Sequence, residues 1–281
     1  MSNVANGSNE DKKTVEGFGQ EWVAFDQTDL PPAEQLDLFN TYFSVFPWGK
    51  VGKDAVGFDM GCGSGRWAEL AADRVGHLHC IDAANDALDV ARRRLAHKSN
   101  VSFHHANVGD PPIEDGSQDF GFSLGVLHHV PDTQAAIAVC AQKLKVGAPF
   151  LIYLYYRFDD KPAWFVALWR VSELMRHAIS RLPFGLRKLV TTLIAVVAYW
   201  PLARAAGLAE KLGANVTIWP LSGYRTRSFY TMRTDALDRF GTALEQRFTK
   251  AEIKAMLEHA GFIDIRFRDS LPFWVAVGTR A

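Results

Sequence analysis

Residues 56–72 read VGFDMGCGSGRWAELAA: an apolar run carrying Asp59, glycines at 61, 63 and 65, then a helical pattern. Glycines at alternate positions let the chain turn sharply and bring backbone amides against a ligand with no Cβ in the way. A strand, a tight turn and a helix in that order open a βαβ unit. The dinucleotide fingerprint G-x-G-x-x-G would need glycine or alanine at 66, where this chain has Arg66. A P-loop would need Gly-Lys-Ser/Thr, which is absent. A ligand is expected at this turn, and both phosphate-binding readings lose ground.

The same texture continues downstream. Short apolar runs (HLHCIDA, VSFHHANV, FGFSLGVL, PFLIYLYY) are interleaved with helical patterns (DALDVARRRLA, TQAAIAVCAQKL), the rhythm of a parallel sheet layered with helices. Near the C-terminus, TKAEIKAMLEHAGF reads as a helix opened by Thr249 as N-cap and closed near Gly261. Two strands, IDIRFRD and PFWVAVGT, follow it across a short turn. The two ends of the chain therefore belong to one α/β domain, covering residues 49–157 and 249–281. Ahead of it, residues 1–48 hold a polar leader of about fifteen residues, read as mobile, and then covering helices, with Leu36, Phe39, Tyr42 and Phe43 at helical spacing.

Residues 158–248 have a different character and read as an inserted helical cap. From Lys161 to Lys211 there are eight Lys/Arg against two Glu, around an uncharged run of fifteen residues, 189–203. That run is short for a membrane span and contains Pro201, so helices inserted into the α/β domain are expected instead. The cap is either an ordinary lid whose apolar face turns inward or a surface that docks on an anionic membrane.

Composition narrows the partners. Across 281 residues, 31 Lys+Arg balance 31 Asp+Glu, which gives no global footprint for nucleic acid, and the 48% hydrophobic share excludes disorder. The leader lacks the apolar core of a secretion signal. Cys62, Cys80 and Cys140 show no C-x-x-C spacing, so neither a disulfide framework nor a metal site is expected. Reduced cysteines point to the cytoplasm, with a membrane-peripheral position as the alternative that the cap leaves open.

Taken in order, these motifs resemble the class I S-adenosylmethionine-dependent methyltransferases, in particular the UbiE-like group. The acidic-x-Gly-x-Gly-x-Gly motif is matched by Asp59 to Gly65, and Asp82 ends the second strand seventeen residues later. Asn107 ends the third strand, DFGFSLGVLHHVPD resembles the fourth-strand motif, and LKVGAPFLIYLYY resembles the turn into strand five, with Val146 and Ala148 replacing the usual proline and second glycine. The resemblance implies a Rossmann-like α/β sheet of seven strands, mostly parallel with an antiparallel C-terminal hairpin strand. It also implies S-adenosylmethionine as cofactor, with S-adenosylhomocysteine as product.

On that resemblance Asp82 would accept both ribose hydroxyls and Asp59 would attract the cofactor's ammonium, directly or through water. The backbone about Gly61, Cys62, Gly63 and Gly65 would face the methionine part. Ala83 counts among the cofactor-binding residues, Asn107 with the Val108 amide would read the adenine edge, and the Leu124 carbonyl would be a further acceptor for the ammonium. His128 and His129 follow strand four, where the family places the methyl group. His129 ranks first as base or substrate-positioning residue, and helix capping is the alternative for both histidines. Tyr155, with Tyr224, Arg225, Arg227 and Tyr230 from SGYRTRSFYTMR, forms the candidate substrate set, and sheet packing or a salt-linked hinge with Asp235 and Asp238 is the other reading. The expected activity is methyl transfer to a small or lipid-like metabolite, with oxygen favoured over nitrogen or carbon. A non-catalytic cofactor-binding scaffold and a nicotinamide-dependent oxidoreductase are the rivals.

Overall fold

The computed structural model describes residues 9–158, 161–272 and 274–281, so the first eight residues of the expected leader and Phe273 of the last expected strand lie outside the described residues. The chain divides into two units. The first comprises Met1–Asp26, Leu36–Arg157 and Leu244–Ala281, and the second Gln27–Gln35 and Phe158–Ala243. Residues 244–248, grouped with the cap on sequence, thus fall in the first unit.

The first unit starts with helix α1 (Lys12–Ala24), whose N-cap Asp11 accepts from the Thr14 amide, and takes in most of α2 (Pro32–Tyr42). Then strand and helix alternate: β1 (Val56–Met60), α3 (Arg66–Ala71), β2 (His77–Asp82), α4 (Asn85–Arg94), β3 (Val101–His105), β4 (Phe120–Leu124), α5 (Thr133–Lys143) and β5 (Pro149–Tyr153). The second unit supplies α6 (Ala163–Ile179), α7 (Phe184–Ile194), α8 (Trp200–Lys211) and α9 (Phe229–Gly241). The chain then returns to the first unit for α10 (Lys250–His259), β6 (Phe262–Phe267) and β7 (Val275–Arg280).

The seven strands lie in the order β3-β2-β1-β4-β5-β7-β6. β1 to β5 run parallel, and β7 is antiparallel to both β5 and β6. The expected seven-stranded, mostly parallel sheet is the one found. Strand order reverses between β1 and β4, the switch point at which open α/β sheets leave a crevice beyond their strand C-termini. Helices cover both faces, so the central strands are apolar on both sides. Phe43, Trp67, Phe120 and Phe122 pack on one face, and Phe58, Ile137, Phe150 and Ile152 on the other.

Two strand glycines keep β1 and β4 together. The Phe120 ring lies over Gly57 and the Phe58 ring over Gly121, so that a Cβ at either glycine would come within 2.4 or 2.3 Å of an aromatic carbon. In register these are direct neighbours, Gly57 with Phe120 and Phe58 with Gly121, so each large ring fills the space its partner leaves. The β5 turn tolerates its departures from the family pattern. Gly147 takes the left-handed φ of +86°, while Val146 points to solvent and Ala148 is buried.

In the second unit Phe184–Lys211 is one continuous helix of 28 residues, in which a π turn at Ala195–Tyr199 joins α7 to α8. By length and composition this helix is long and apolar enough to cross a membrane. The sequence count of fifteen residues considered only the uncharged run, and Pro201 was expected to interrupt it. The wider π turn just before Pro201 lets the helix pass a residue with no amide proton to donate.

Candidate active site

Asp59 stands at the penultimate position of β1, between Cys80 of β2 and Phe122 of β4. It is 1% exposed, and neither carboxylate oxygen has a hydrogen-bond partner among the described residues. Burial, with the Asp82 carboxylate nearby, holds its carboxyl well above the usual carboxylate range, and the Arg66 guanidinium draws it part of the way back. A buried carboxylate in this state calls for a cation.

The glycine turn that follows is built tightly. Gly61, Gly63 and Gly65 all take positive φ, and a Cβ at Gly61 would meet Val126 at 2.4 Å. The amides of Gly61 and Cys62 both donate to the Ile81 carbonyl, at 2.8 and 3.0 Å, and the Gly65 amide donates to the Cys62 carbonyl. Most of the turn's amides therefore donate within the protein. The buried Ser64 hydroxyl has no partner among the described residues and is a donor left at this turn. Gly63 donates to Asp82 Oδ2 and Ala84 to Asp82 Oδ1, each at 2.8 Å, so the second acid is oriented by one backbone bond to each oxygen. Each oxygen keeps a further lone pair, the pair of acceptors that vicinal hydroxyls need. Burial raises the Asp82 pKa, and the Ala84 and Gly63 amides pull it back.

Ala83 follows Asp82, and its carbonyl lies 3.0 Å from His105 Nε2. β3 stops at His105, two residues earlier than expected, and Asn107 sits in the loop beyond, where its side-chain oxygen accepts from the Gly109 amide at 2.8 Å. Val108 is buried beside it. Leu124 is the last residue of β4. One wall was not anticipated: the Trp22 indole of α1 comes within 2.8 Å of a Cβ placed on Gly63, with the Arg66 guanidinium between Trp22 and Trp67 at 5.6 and 4.3 Å. A tryptophan on an amphipathic helix carries no signal that it will reach a turn forty residues away.

Beyond β4 the chain makes a 3₁₀ turn at Leu127–His129, in which both histidines are buried. His129 Nδ1 lies 2.7 Å from the Leu244 carbonyl. A carbonyl only accepts, so Nδ1 carries the proton and Nε2 presents a lone pair. His128 has no hydrogen-bond partner among the described residues at either ring nitrogen and lies beside the rings of His129 and Tyr155, at 4.0 and 3.9 Å. Burial, then the proximity of His129 and Arg247, holds its pKa well below the ordinary histidine value, so it is neutral at pH 7. Phe18, Tyr153 and Tyr42 extend the aromatic wall, by contacts of Phe18 with His129 at 4.9 Å and of Tyr42 with Tyr153 at 5.1 Å.

Residues 244–248 fasten this turn. The Leu244 carbonyl holds His129, the Gln246 amide donates to the His128 carbonyl at 3.0 Å, and the Phe248 amide donates to the Tyr155 carbonyl at 2.9 Å. Arg247 stacks over Tyr155 at 5.1 Å and pairs with the buried Glu245 at 2.8 Å. Sequence reasoning missed this strap, since LEQRF has no periodicity, and only the neighbouring cap Thr249 marks where it ends.

Tyr155 is thus part of the histidine cluster, whereas Tyr224, Arg225, Arg227 and Tyr230 all belong to the second unit. There Arg225 pairs with Glu210 at 2.7 Å, Tyr224 packs 5.2 Å from Tyr199, and the Tyr230 hydroxyl accepts from the Gln27 amide at 2.9 Å. The Arg227 carbonyl accepts from Arg204. Arg225 takes Glu210 as its acid, not Asp235 or Asp238.

The unpartnered acid at the end of β1, the oriented acid at the end of β2 and the glycine turn at the switch point between them fit an aminoacyl ammonium and a ribose on one ligand. With this strand order, they resemble the cofactor site of the class I S-adenosylmethionine-dependent methyltransferases. Residues 58–152 match the family model described as a methyltransferase domain, about a third of the chain, and the α/β unit is similar to that family over this stretch. A ubiquinone biosynthesis O-methyltransferase of Aromatoleum aromaticum is 35% identical over 91 residues, 32% of this chain and 39% of that protein. Phosphoethanolamine N-methyltransferase 2 of Caenorhabditis elegans is 34% identical over 100 residues, 34% of this chain and 23% of that protein. The match spans well under half of either relative. Among solved structures, a possible exported protein of Bordetella parapertussis shares the fold at TM-score 0.53 and 17% identity, over 93% of this chain and 79% of that one.

Proposed function

We propose that this chain methylates a hydroxyl of a small or lipid-like acceptor, with His129 as the base. The observation that carries the reading is the 2.7 Å contact of His129 Nδ1 with the Leu244 carbonyl, which fixes the tautomer whose Nε2 can take a proton. S-adenosylmethionine supplies an electrophilic methyl group on a sulfonium. Asp59 holds the ammonium of that cofactor, Asp82 the sugar, and Asn107 with Val108 borders the adenine. Tyr153, Tyr155 and Phe18 give the acceptor side an apolar lining, which excludes water and leaves alignment to do much of the catalysis. A phenolic or lipid hydroxyl fits a site of this polarity better than a highly charged acceptor. A relative named as an O-methyltransferase agrees with oxygen, while the N-methyltransferase relative makes an amine the competing acceptor.

The test is transfer of label from methyl-tritiated S-adenosylmethionine to a panel of phenols, lipid hydroxyls and amines, with the product atom read by NMR. Label on oxygen, and a fall in kcat of roughly 10²–10⁴-fold in His129→Ala with cofactor affinity unchanged, is the expected result. Labelling of amines alone would move the reaction to nitrogen, and full turnover in the variant would remove His129 as base.

A further inference from the structure

The helices of the second unit are inverted in polarity. A helix on a soluble protein turns its large apolar side chains inward and its charges out. Along the continuous helix Phe184–Lys211 the buried positions are Arg187, Thr191, Ala195, Tyr199, Ala203 and Ala206, small or polar for the most part. Leu186, Leu189, Leu193, Val197 and Trp200, spaced by three or four, are instead exposed, Val197 at 69%. Helix α6 repeats the arrangement, burying Arg176 and exposing Trp164, Leu168, Val171 and Leu174, the last at 73%.

The inward arginines have a structural task. Arg176 donates to the carbonyls of Thr242 and Ala243, and Arg187 to that of Gly241, so two buried guanidinium groups close the C-terminal end of α9. Small inward residues allow close helix packing, the pattern found where lipid, and not water, faces the outer surface.

We propose that α6, α7 and α8 dock in the plane of an anionic membrane surface, with the two outward stripes set into the boundary between headgroups and acyl chains. Charge selects the occupant. From Lys161 to Lys211 the carboxylates are Glu173, held by Arg176 and Arg239 at 3.1 and 2.6 Å, and Glu210 at the end of α8, paired with Arg225 at 2.7 Å. Arg170, Arg181 and Arg204 stand exposed beside the stripes with no exposed acid among them. A lipid surface with negative headgroups meets both the apolar stripes and their cationic margin, at about 1 kcal/mol of attraction for each cation near it. In-plane docking, and not spanning, follows from geometry. Arg187 and Arg204 bound the apolar part of the helix at a separation of roughly 25 Å, short of a hydrocarbon core of about 30 Å, and its other side packs against protein. The proposal does not depend on the reading of the methyl acceptor.

The test is flotation of the purified full chain with vesicles of phosphatidylcholine alone, or with about one third phosphatidylglycerol, at low and high salt. Expected are at least tenfold more protein on the anionic vesicles, loss of that excess at high salt, and a blue shift in the emission that the double variant Trp164→Phe/Trp200→Phe removes. The double variant Leu189→Glu/Val197→Glu should weaken binding at least tenfold while keeping the wild-type melting temperature and cofactor affinity, since both positions are exposed. Absence of binding at low salt, or binding that the double variant leaves intact, would overturn the proposal. So would a dimer that the double variant dissociates, since a second copy of the chain would then own this face.

Discussion

Asp59 sits where its own charge is disfavoured, because no donor among the described residues reaches either oxygen, burial strips it of water and the Asp82 carboxylate is nearby. A carboxyl whose folded pKa lies above its unfolded value costs stability as pH rises from the unfolded pKa towards the folded one. The folded protein without cofactor therefore carries this cost at neutral pH. Asp59→Asn is expected to raise the melting temperature of the cofactor-free protein at pH 7 and to weaken S-adenosylhomocysteine binding at least tenfold. Thermal melts at pH 7 with and without that ligand check both halves. The opposite sign applies to His128, whose pKa is depressed. The unfolded chain binds a proton there below about pH 6.5 that the folded chain does not, so stability falls as pH drops through that value. In His128→Phe, urea midpoints followed from pH 8 to pH 5 should show a shallower decline than wild type. The two acids were legible in the sequence because strand ends and glycine spacing locate them. The tautomer of His129 was not, since it is set by a carbonyl 115 residues away.

At the scale of elements, periodicity located the strands and helices well and their ends less well. β3 ends at His105 because the chain must turn to place Asn107, whose side chain closes that turn on Gly109, and no apolar pattern marks that point. Helix α10 shows the reverse. Thr249 was readable as its N-cap, and the structure adds the reciprocal bond, Thr249 Oγ1 accepting from the Glu252 amide at 3.1 Å and Glu252 accepting from the Thr249 amide at 2.7 Å. Thr249→Ala should cost about 1 kcal/mol in chemical denaturation. The strap 244–248 enters this helix, so the same variant should lower methyl transfer more than it lowers cofactor affinity, measured by separate titration and turnover. In the second unit periodicity found the stripes but not their direction. A repeat of three or four residues is the same whether the stripe faces protein or lipid, and only burial distinguishes the two.

On the scale of the molecule, the first unit is assembled from both ends of the chain around an insertion, an arrangement the sequence disclosed because strand patterns resume after residue 249. The residues proposed to hold the cofactor, Asp59, Asp82, Asn107 and Val108, all belong to that unit. A ligand that binds only the folded form stabilises it by about 2.7 kcal/mol at one hundred times its dissociation constant, so occupancy of this site should also register as a rise in melting temperature. The most direct test of the account is calorimetric titration of the full chain, freed of carried-over nucleoside, with S-adenosylhomocysteine and separately with NADH. One equivalent of S-adenosylhomocysteine should bind with measurable heat, NADH should give none, and Asp82→Ala should abolish the signal while the protein stays folded. Heat with NADH alone, or an unchanged isotherm in the Asp82→Ala variant, would contradict the assignment of this turn and its two acids to an adenosyl sulfonium.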